Sequence, residues 1–222
     1  MSVDLALYVI VDPALAGGRR LADISAAAAR GGATLIQLRD KSGETRAIVE
    51  QARAVKHALA GSGVPILIND RVDITLASGA NGVHLGRDDL DQRTARRLLG
   101  PRAIIGATVR ADEDVNALIP GAIDYVCVGG VFATKSKDNP DPPIGLQGLA
   151  RLARLVRERA PGIPVGAIAG IDESNAGEVI RAGADGIAVI SAVTAARDPE
   201  AAARALRQIV DAAQAKREGR SK

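Results

Sequence analysis

The chain has 222 residues, of which 47% are hydrophobic and 1% aromatic, and its formal net charge is +3. That length suits one sizeable core and lies near the ~250 residues typical of a single α/β barrel. So small a positive excess gives no reason to expect a polyanion partner, and the scarcity of aromatics argues against a β-sandwich or an aromatic-rich nucleic-acid binder.

Short apolar runs alternate with helical patterns along the chain. The runs are Leu5 to Val11, Thr34 to Leu38, Pro65 to Ile68, Gly82 to Leu85, Ala103 to Thr108, Tyr125 to Phe132, Pro164 to Ile168 and Gly186 to Ile190. Between them lie segments such as LADISAAAARGGA, ETRAIVEQARAVKHAL, LQGLARLARLVRERA and DPEAAARALRQIVDAA. Their apolar residues recur three or four apart, the period of an amphipathic helix. This alternation predicts βαβ units and a parallel sheet. Eight such repeats in a chain of this length predict a closed (β/α)8 barrel of the TIM type rather than an open doubly wound sheet.

Several helical segments end in Gly-Ala just before a strand, as in GGATLIQL, SGANGVHL, PGAIDYVCV and RAGADGIAVI. Glycine there suits the left-handed residue that stops a helix. With no linker or shift of composition, residues 1–222 read as one domain, and KREGRSK from about Lys216 reads as a disordered, solvated basic tail.

The single cysteine, Cys127, excludes an internal disulfide and a cysteine-based metal cluster. Flanked by Val126 and Val128, it reads as a small buried apolar residue rather than a nucleophile. No stretch approaches ~18 uninterrupted apolar residues, and MSVDLALYVIVDP lacks a basic region and cleavage pattern. The expectation is a soluble cytoplasmic protein with no membrane or nucleic-acid partner.

Nearly every predicted strand runs out into polar residues. Strand two ends in Gln37, Arg39, Asp40 and Lys41, strand three in Asn69 and Asp70, and strand four in His84 followed by Asp88 and Asp89. Strand five ends near Thr108, strand six in Thr134, Lys135, Ser136 and Lys137, strand seven in Gly170 and strand eight in Ser191. In a (β/α)8 barrel these positions converge on the face where active sites are built.

Asp70 and Asp89 come from adjacent strands beside two basic clusters, which suits a divalent metal bridging to a phosphorylated substrate. The residues leave a second reading open, in which Asp70 pairs with Arg71 or Arg39 and Asp89 caps a helix starting near Leu90. Gly170 lets backbone approach a ligand, and Ser191 opens SAVTAA, a short helix whose free N–H groups suit a phosphate. FATKSKDNPDPPIG is the longest irregular stretch and reads as a functional lid. The rim therefore predicts an enzyme acting on two phosphorylated groups.

The segments QLRDK, LINDRVDITLASGANGVHLGRDDL, VFATKSKDNPDPPIGLQGL and AGADGIAVISA resemble the thiamine phosphate synthases in order and register from about Tyr8 to Ser191. The resemblance implies Mg2+-dependent condensation of hydroxymethylpyrimidine diphosphate with a (carboxylated) hydroxyethylthiazole phosphate, both small phosphorylated substrates. By that resemblance Gln37, Leu38, Arg39, Asp40, Lys41, Asn69, Thr108 and Lys137 correspond to pyrimidine diphosphate contacts. Thr134, Lys135, Ser136, Gly170, Ile190 and Ser191 match the thiazole phosphate contacts. Asp70 and Asp89 align with magnesium ligands, and Arg39, Lys41 and Lys137 are the cations expected to assist departure of the diphosphate.

The chain departs from the family pattern in places. Arg87 stands where GQDD-type motifs carry Gln, and Gly130 and Ala133 replace prolines. Ala169 replaces a glycine, and GATVR lacks a histidine often found after strand five. Three rival readings remain beside the main one: a thiazole tautomerase, a lysine-dependent aldolase or other phosphate-binding barrel, and a non-catalytic ligand-binding protein. His84 reads as a structural or supporting histidine, and His57 as solvent-facing on a helix.

Overall fold

Parallel strands close on themselves in the computed structural model, which describes residues 3–134 and 142–219. The ring runs β1 (Leu7–Val11), β2 (Leu35–Leu38), β3 (Ile66–Asn69), β4 (Gly82–Leu85), β5 (Ile104–Val109), β6 (Tyr125–Val128), β7 (Val165–Ile168) and β8 (Gly186–Val189), with β8 pairing back to β1. The helices are α1 (Leu21–Arg30), α2 (Thr45–Ala58), α3 (Val72–Ser78), α4 (Gln92–Leu99), α5 (Asp112–Asn116), α6 (Gly145–Arg159), α7 (Ala176–Arg181), α8 (Ser191–Thr194) and α9 (Pro199–Gly219). Strands and helices alternate, which makes this the expected (β/α)8 barrel.

Strand alternation divides the core in two. Outward-facing Leu7, Val9 and Val11 of β1 and Ile36 and Leu38 of β2 join the layer under the helices. There they meet stripes such as Leu149, Leu152, Ala153 and Val156 of α6, buried on one face at helical spacing. The intervening residues point inward, where Tyr8, Ile10, Leu35, Leu67, Tyr125, Cys127 and Ala188 fill the barrel. Two positions on opposite parities of one strand thus serve different tasks, one packing helices and the other building the interior.

Three of the four Gly-Ala segments stop a helix as expected: Gly79 caps α3 at φ 68°, and Gly32 and Gly183, one residue past the caps of α1 and α7, also have positive φ, whereas Gly121 lies beyond the end of α5 at Asn116. Strand six is shorter than expected. It ends at Val128 because Gly130, at φ 74°, turns the chain out of the sheet. The C-terminal helix is longer than expected, continuing past Lys216 to Gly219. Arg217 there donates to the Ala184 carbonyl at 2.7 Å and to Asp185 at 3.0 Å. His57 is exposed on α2. Among the described residues no helix is long and apolar enough to cross a membrane.

Candidate active site

The C-terminal ends of the strands surround a cavity of about 500 Å³. Every strand contributes to its wall, through Tyr8, Gln37, Asn69, His84, Thr108, Cys127, Ile168 and Ala188 in strand order. The cavity sits at the barrel end where the fold places active sites.

On the β2 side Gln37 faces inward and Leu38 outward, as pleating demands. The Leu38 side chain is buried under the helices, so only its backbone remains for a ligand. Arg39 lines the cavity and is held by Asp12 in a nearly buried pair, with side chains 15% and 5% exposed. Asp12 also caps the turn after β1 by accepting from Ala14 N at 2.9 Å. Its carboxylate fixes the guanidinium of Arg39, and removing either partner would strand the other charge. Asp40 turns to its own loop, accepting from Ser42 N at 3.0 Å and Gly43 N at 2.8 Å. Its side chain thereby shapes the loop after β2.

Lys41 donates to Asp70, and Asp70 and Asp89 are themselves in hydrogen-bond contact. The alternative pairings do not form: Arg71 pairs with Asp73 at 2.6 Å and Arg39 with Asp12. Asp89 does not cap α4 either. Asp91 does, accepting from Thr94 N at 2.9 Å, while Asp89 accepts from Gly86 N at 2.6 Å. Arg87 points outward to Asp114 at 2.7 Å, with its side chain 62% exposed.

The two carboxylates are held together at a cost. Burial, and then the hydrogen bond to Asp70, push the Asp89 carboxyl up to about 6. Burial also works against ionised Asp70, but hydrogen bonds from Asp89 and Lys41 hold its carboxyl below the usual range. Asp70 sits at φ 62°, and Arg71 N donates to Asn69 O at 2.7 Å across it. A bond spanning one residue of positive φ marks the rare, strained γ-turn. Strain and like-charge proximity at one residue suit a divalent cation, which would relieve the repulsion. The donor set is all oxygen, and no group of three His, Cys, Asp or Glu forms among the described residues. Two carboxylates with the remaining positions left to substrate and water is what Mg2+ commonly takes.

Across the ring, the ends of β7 and β8 form a different surface. Gly170, Ile190, Ser191 and Thr134 line the cavity. Gly170 is wedged against the segment after β6, since a Cβ on it would lie 2.4 Å from Ala133 O. Asn175 ties the loop by donating to Gly170 O at 2.9 Å and accepting from Asp172 N at 3.0 Å. Ser191 begins α8, whose opposite end is held by Arg19, donating to the carbonyls of Thr194 and Ala196. Cationic Arg19 at the C-terminus complements a helix dipole whose positive end faces the cavity.

Ala169, also lining the cavity, has φ 93°, a region that disfavours any residue with a Cβ. Ala169→Gly should raise stability by about 0.5–1 kcal/mol, the reverse of placing alanine at positive φ. Thermal unfolding checks this, with a Tm increase of about 1–4 °C expected for a chain of this size.

Lys135, Ser136 and Lys137 lie outside the described residues, as does half of the irregular stretch expected to be a lid. Its two ends are joined at the base, where Ile144 N donates to Gly130 O at 2.9 Å and Gly145 N to Val131 O at 3.0 Å.

Several site residues escaped the sequence reading. Tyr8 lines the floor, Asp12 and Arg19 support it from outside, and Arg110 reaches the cavity over Gly129 and Gly130. Cys127 borders the cavity yet is 2% exposed, and burial pushes its thiol up to about 12, which leaves it unreactive.

Fold and site together define a (β/α)8-barrel protein whose cavity has Arg39 on one side and the start of α8 on the other. The chain belongs to the thiamine monophosphate synthase family, whose model matches residues 7–193. A thiamine-phosphate synthase of Agrobacterium fabrum is 53% identical over 213 residues, covering 95% of this chain and 96% of that protein. One from Albidiferax ferrireducens is 50% identical over 208 residues, covering 94% and 93%. The solved structure of a thiamine phosphate pyrophosphorylase from Pyrococcus furiosus aligns with a TM-score of 0.82 at 37% identity, covering 95% of this chain and 98% of that one. Membership makes the chain a transferase of thiamine biosynthesis.

Proposed function

We propose that this chain joins hydroxymethylpyrimidine diphosphate to a hydroxyethylthiazole phosphate, carboxylated or not, in the cytoplasm, with Mg2+ as cofactor and diphosphate as the second product. The observation that carries this reading is one cavity with a basic, carboxylate-flanked rim on one side and the start of α8 on the other. Arg39 and Asn69 line one side, where Lys41 and Asp70 follow them closely in the chain and Asp70 meets Asp89, and Gly170, Ile190 and Ser191 line the other.

In the reaction, the bond between the pyrimidine methylene carbon and the diphosphate oxygen breaks, and its electron pair leaves with the diphosphate. The lone pair of the thiazole nitrogen then forms the new C–N bond to that carbon. Gln37 and Asn69 would orient the pyrimidine, and Arg39, fixed by Asp12, and Lys41 would face the developing negative charge. Lys137 is assigned the same task on the family resemblance. Asp70 and Asp89 would hold Mg2+, which supplies positive charge to the leaving group when bound. Thr134, Lys135, Ser136 and the backbone at Gly170, Ile190 and Ser191 would hold the thiazole phosphate. No protein nucleophile is needed, consistent with the buried Cys127 thiol.

Removal of the metal tests the reading. EDTA should abolish formation of thiamine phosphate and Mg2+ should restore it. The affinity for Mg2+ should also depend on pH, because Asp89, with its carboxyl raised to about 6, must lose its proton to bind a cation. Below that pH the affinity should weaken by roughly tenfold per unit, since proton and metal compete for one carboxylate. Titration of Mg2+ between about pH 5 and 8 checks this, and a pH-independent affinity would contradict the assignment.

A further inference from the structure

Beneath the cavity a continuous line of hydrogen-bonded side chains runs through the barrel interior. The Gln37 side-chain amide donates to Tyr8 Oη. The hydroxyls of Tyr8 and Tyr125 lie 3.0 Å apart, and Tyr125 Oη lies 2.8 Å from His84 Nδ1. His84 Nε2 lies in turn 2.8 Å from Thr108 Oγ1. Gly106 admits this line, because a Cβ there would sit 2.0 Å from Tyr125 Cζ. Gln37, Tyr8, His84 and Thr108 line the cavity, but Tyr125 does not and is fully buried.

Each hydroxyl has one hydrogen to give, so a buried line that leaves none of those hydrogens unpaired runs in one direction. Burial pushes both phenols above their ordinary range and keeps those hydrogens in place. With the Gln37 amide donating to Tyr8, the Tyr8 hydrogen goes to Tyr125 and the Tyr125 hydrogen to His84 Nδ1. His84 then carries its proton on Nε2 and donates to Thr108, whose own hydrogen is left to point away from His84. The ends of the line become a matched pair: Gln37 keeps its carbonyl oxygen as an acceptor, and Thr108 keeps its hydroxyl hydrogen as a donor.

We propose that Tyr125 is a positioning residue that transmits this direction, so that Gln37 Oε1 and the Thr108 hydroxyl together read the amine and adjacent ring nitrogen of an aminopyrimidine. This rests on the pyrimidine reading of the cavity given above. An amine donates and its neighbouring ring nitrogen accepts, complementary to both ends at once. The 4-oxo analogue reverses both groups, since its carbonyl accepts and its ring N–H donates. It would set its carbonyl against Gln37 Oε1, acceptor against acceptor, unless the whole line reversed, and reversal requires the other tautomer of His84. Buried groups left unpaired in this way are what give polar sites their large discrimination.

Two measurements test the proposal. The first is 15N NMR of the histidine-labelled, full-length wild-type protein at about pH 8, above the ordinary histidine range, with His57→Gln used to assign the second histidine. His84 is expected as the Nε2–H tautomer, and an Nδ1–H tautomer would overturn the proposal. The second is Tyr125→Phe, assayed with the aminopyrimidine diphosphate and its 4-oxo analogue. Its kcat/KM for the amine should fall by ~10-fold or more, and its preference over the oxo analogue should fall by at least as much. The KM for the thiazole phosphate should stay unchanged. A folded Tyr125→Phe that keeps both the wild-type tautomer and the wild-type preference would also overturn the proposal. If wild-type protein made no thiamine phosphate, the function proposed above would fail, while the tautomer would still decide the direction of the line.

Discussion

Asp70→Asn should lower kcat/KM for thiamine phosphate formation by about 10²–10³-fold, comparable to losing one strong electrostatic contact to a developing charge. Asparagine is the informative replacement because Asp70 sits at φ 62°, a conformation that Asn tolerates. Alanine there would add about 1–2 kcal/mol of backbone strain and confuse a folding defect with a chemical one. The Asn variant keeps the γ-turn, the shape and one acceptor oxygen, but it removes the charge that pairs with Lys41 and stands against Asp89. Its thermal unfolding should therefore stay close to wild type. Steady-state kinetics across a Mg2+ series would measure the loss, and Mg2+-dependent turnover within about threefold of wild type would remove Asp70 from the metal site.

Gly170→Ala should be damaging through packing rather than charge. The added Cβ would meet Ala133 O at 2.4 Å and Phe132 Cβ at 2.7 Å, at a residue whose φ is 64°. The left-handed conformation costs alanine about 1–2 kcal/mol and the overpacking about 1–3 kcal/mol. A destabilisation of about 2–4 kcal/mol, visible as a Tm lower by roughly 5–15 °C, is the expected result. The clash also pushes apart the segments after β6 and β7, which share the proposed thiazole phosphate surface. At temperatures where the variant stays folded, the KM for the thiazole phosphate should rise more than that for the pyrimidine diphosphate. Equal changes in both would place Gly170 outside that surface.

The fold was legible because eight apolar runs and the helical patterns between them repeat one simple alternation. The rim was legible because polar residues end nearly every strand, and strand order alone brings Asp70 beside Asp89. Finer features depend on parity and on distant partners. Leu38 joins the outer core because Gln37 takes the inward position, a consequence of pleating that a motif match passes over. Whether Asp89 or Asp91 caps α4 depends on the first helical residue, and acidic residues crowd that boundary. Asp12 precedes a proline and reads as a turn, yet it pairs with an arginine 27 positions away. The line from Gln37 to Thr108 was hidden because Tyr8 and Tyr125 sit within apolar strands and meet only when the barrel closes. A signal was present even so: the chain's only two tyrosines, His84 and Gly106 all lie on strands.

The departures from the family pattern also acquire physical content. Arg87 is spent on Asp114 at the outer edge, so its charge is directed away from the carboxylate pair. Ala169 adopts the positive φ that the glycine of the family pattern would hold without strain. Gly129 and Gly130 carry the side chain of Arg110, and a Cβ on Gly130 would lie 2.9 Å from its Nη2.

The most direct test is to incubate the purified protein with hydroxymethylpyrimidine diphosphate, hydroxyethylthiazole phosphate and Mg2+, and to follow thiamine phosphate and diphosphate together. The account predicts both products in equal amounts, with neither formed when one substrate or the metal is omitted. Folded protein that leaves both substrates intact would contradict it.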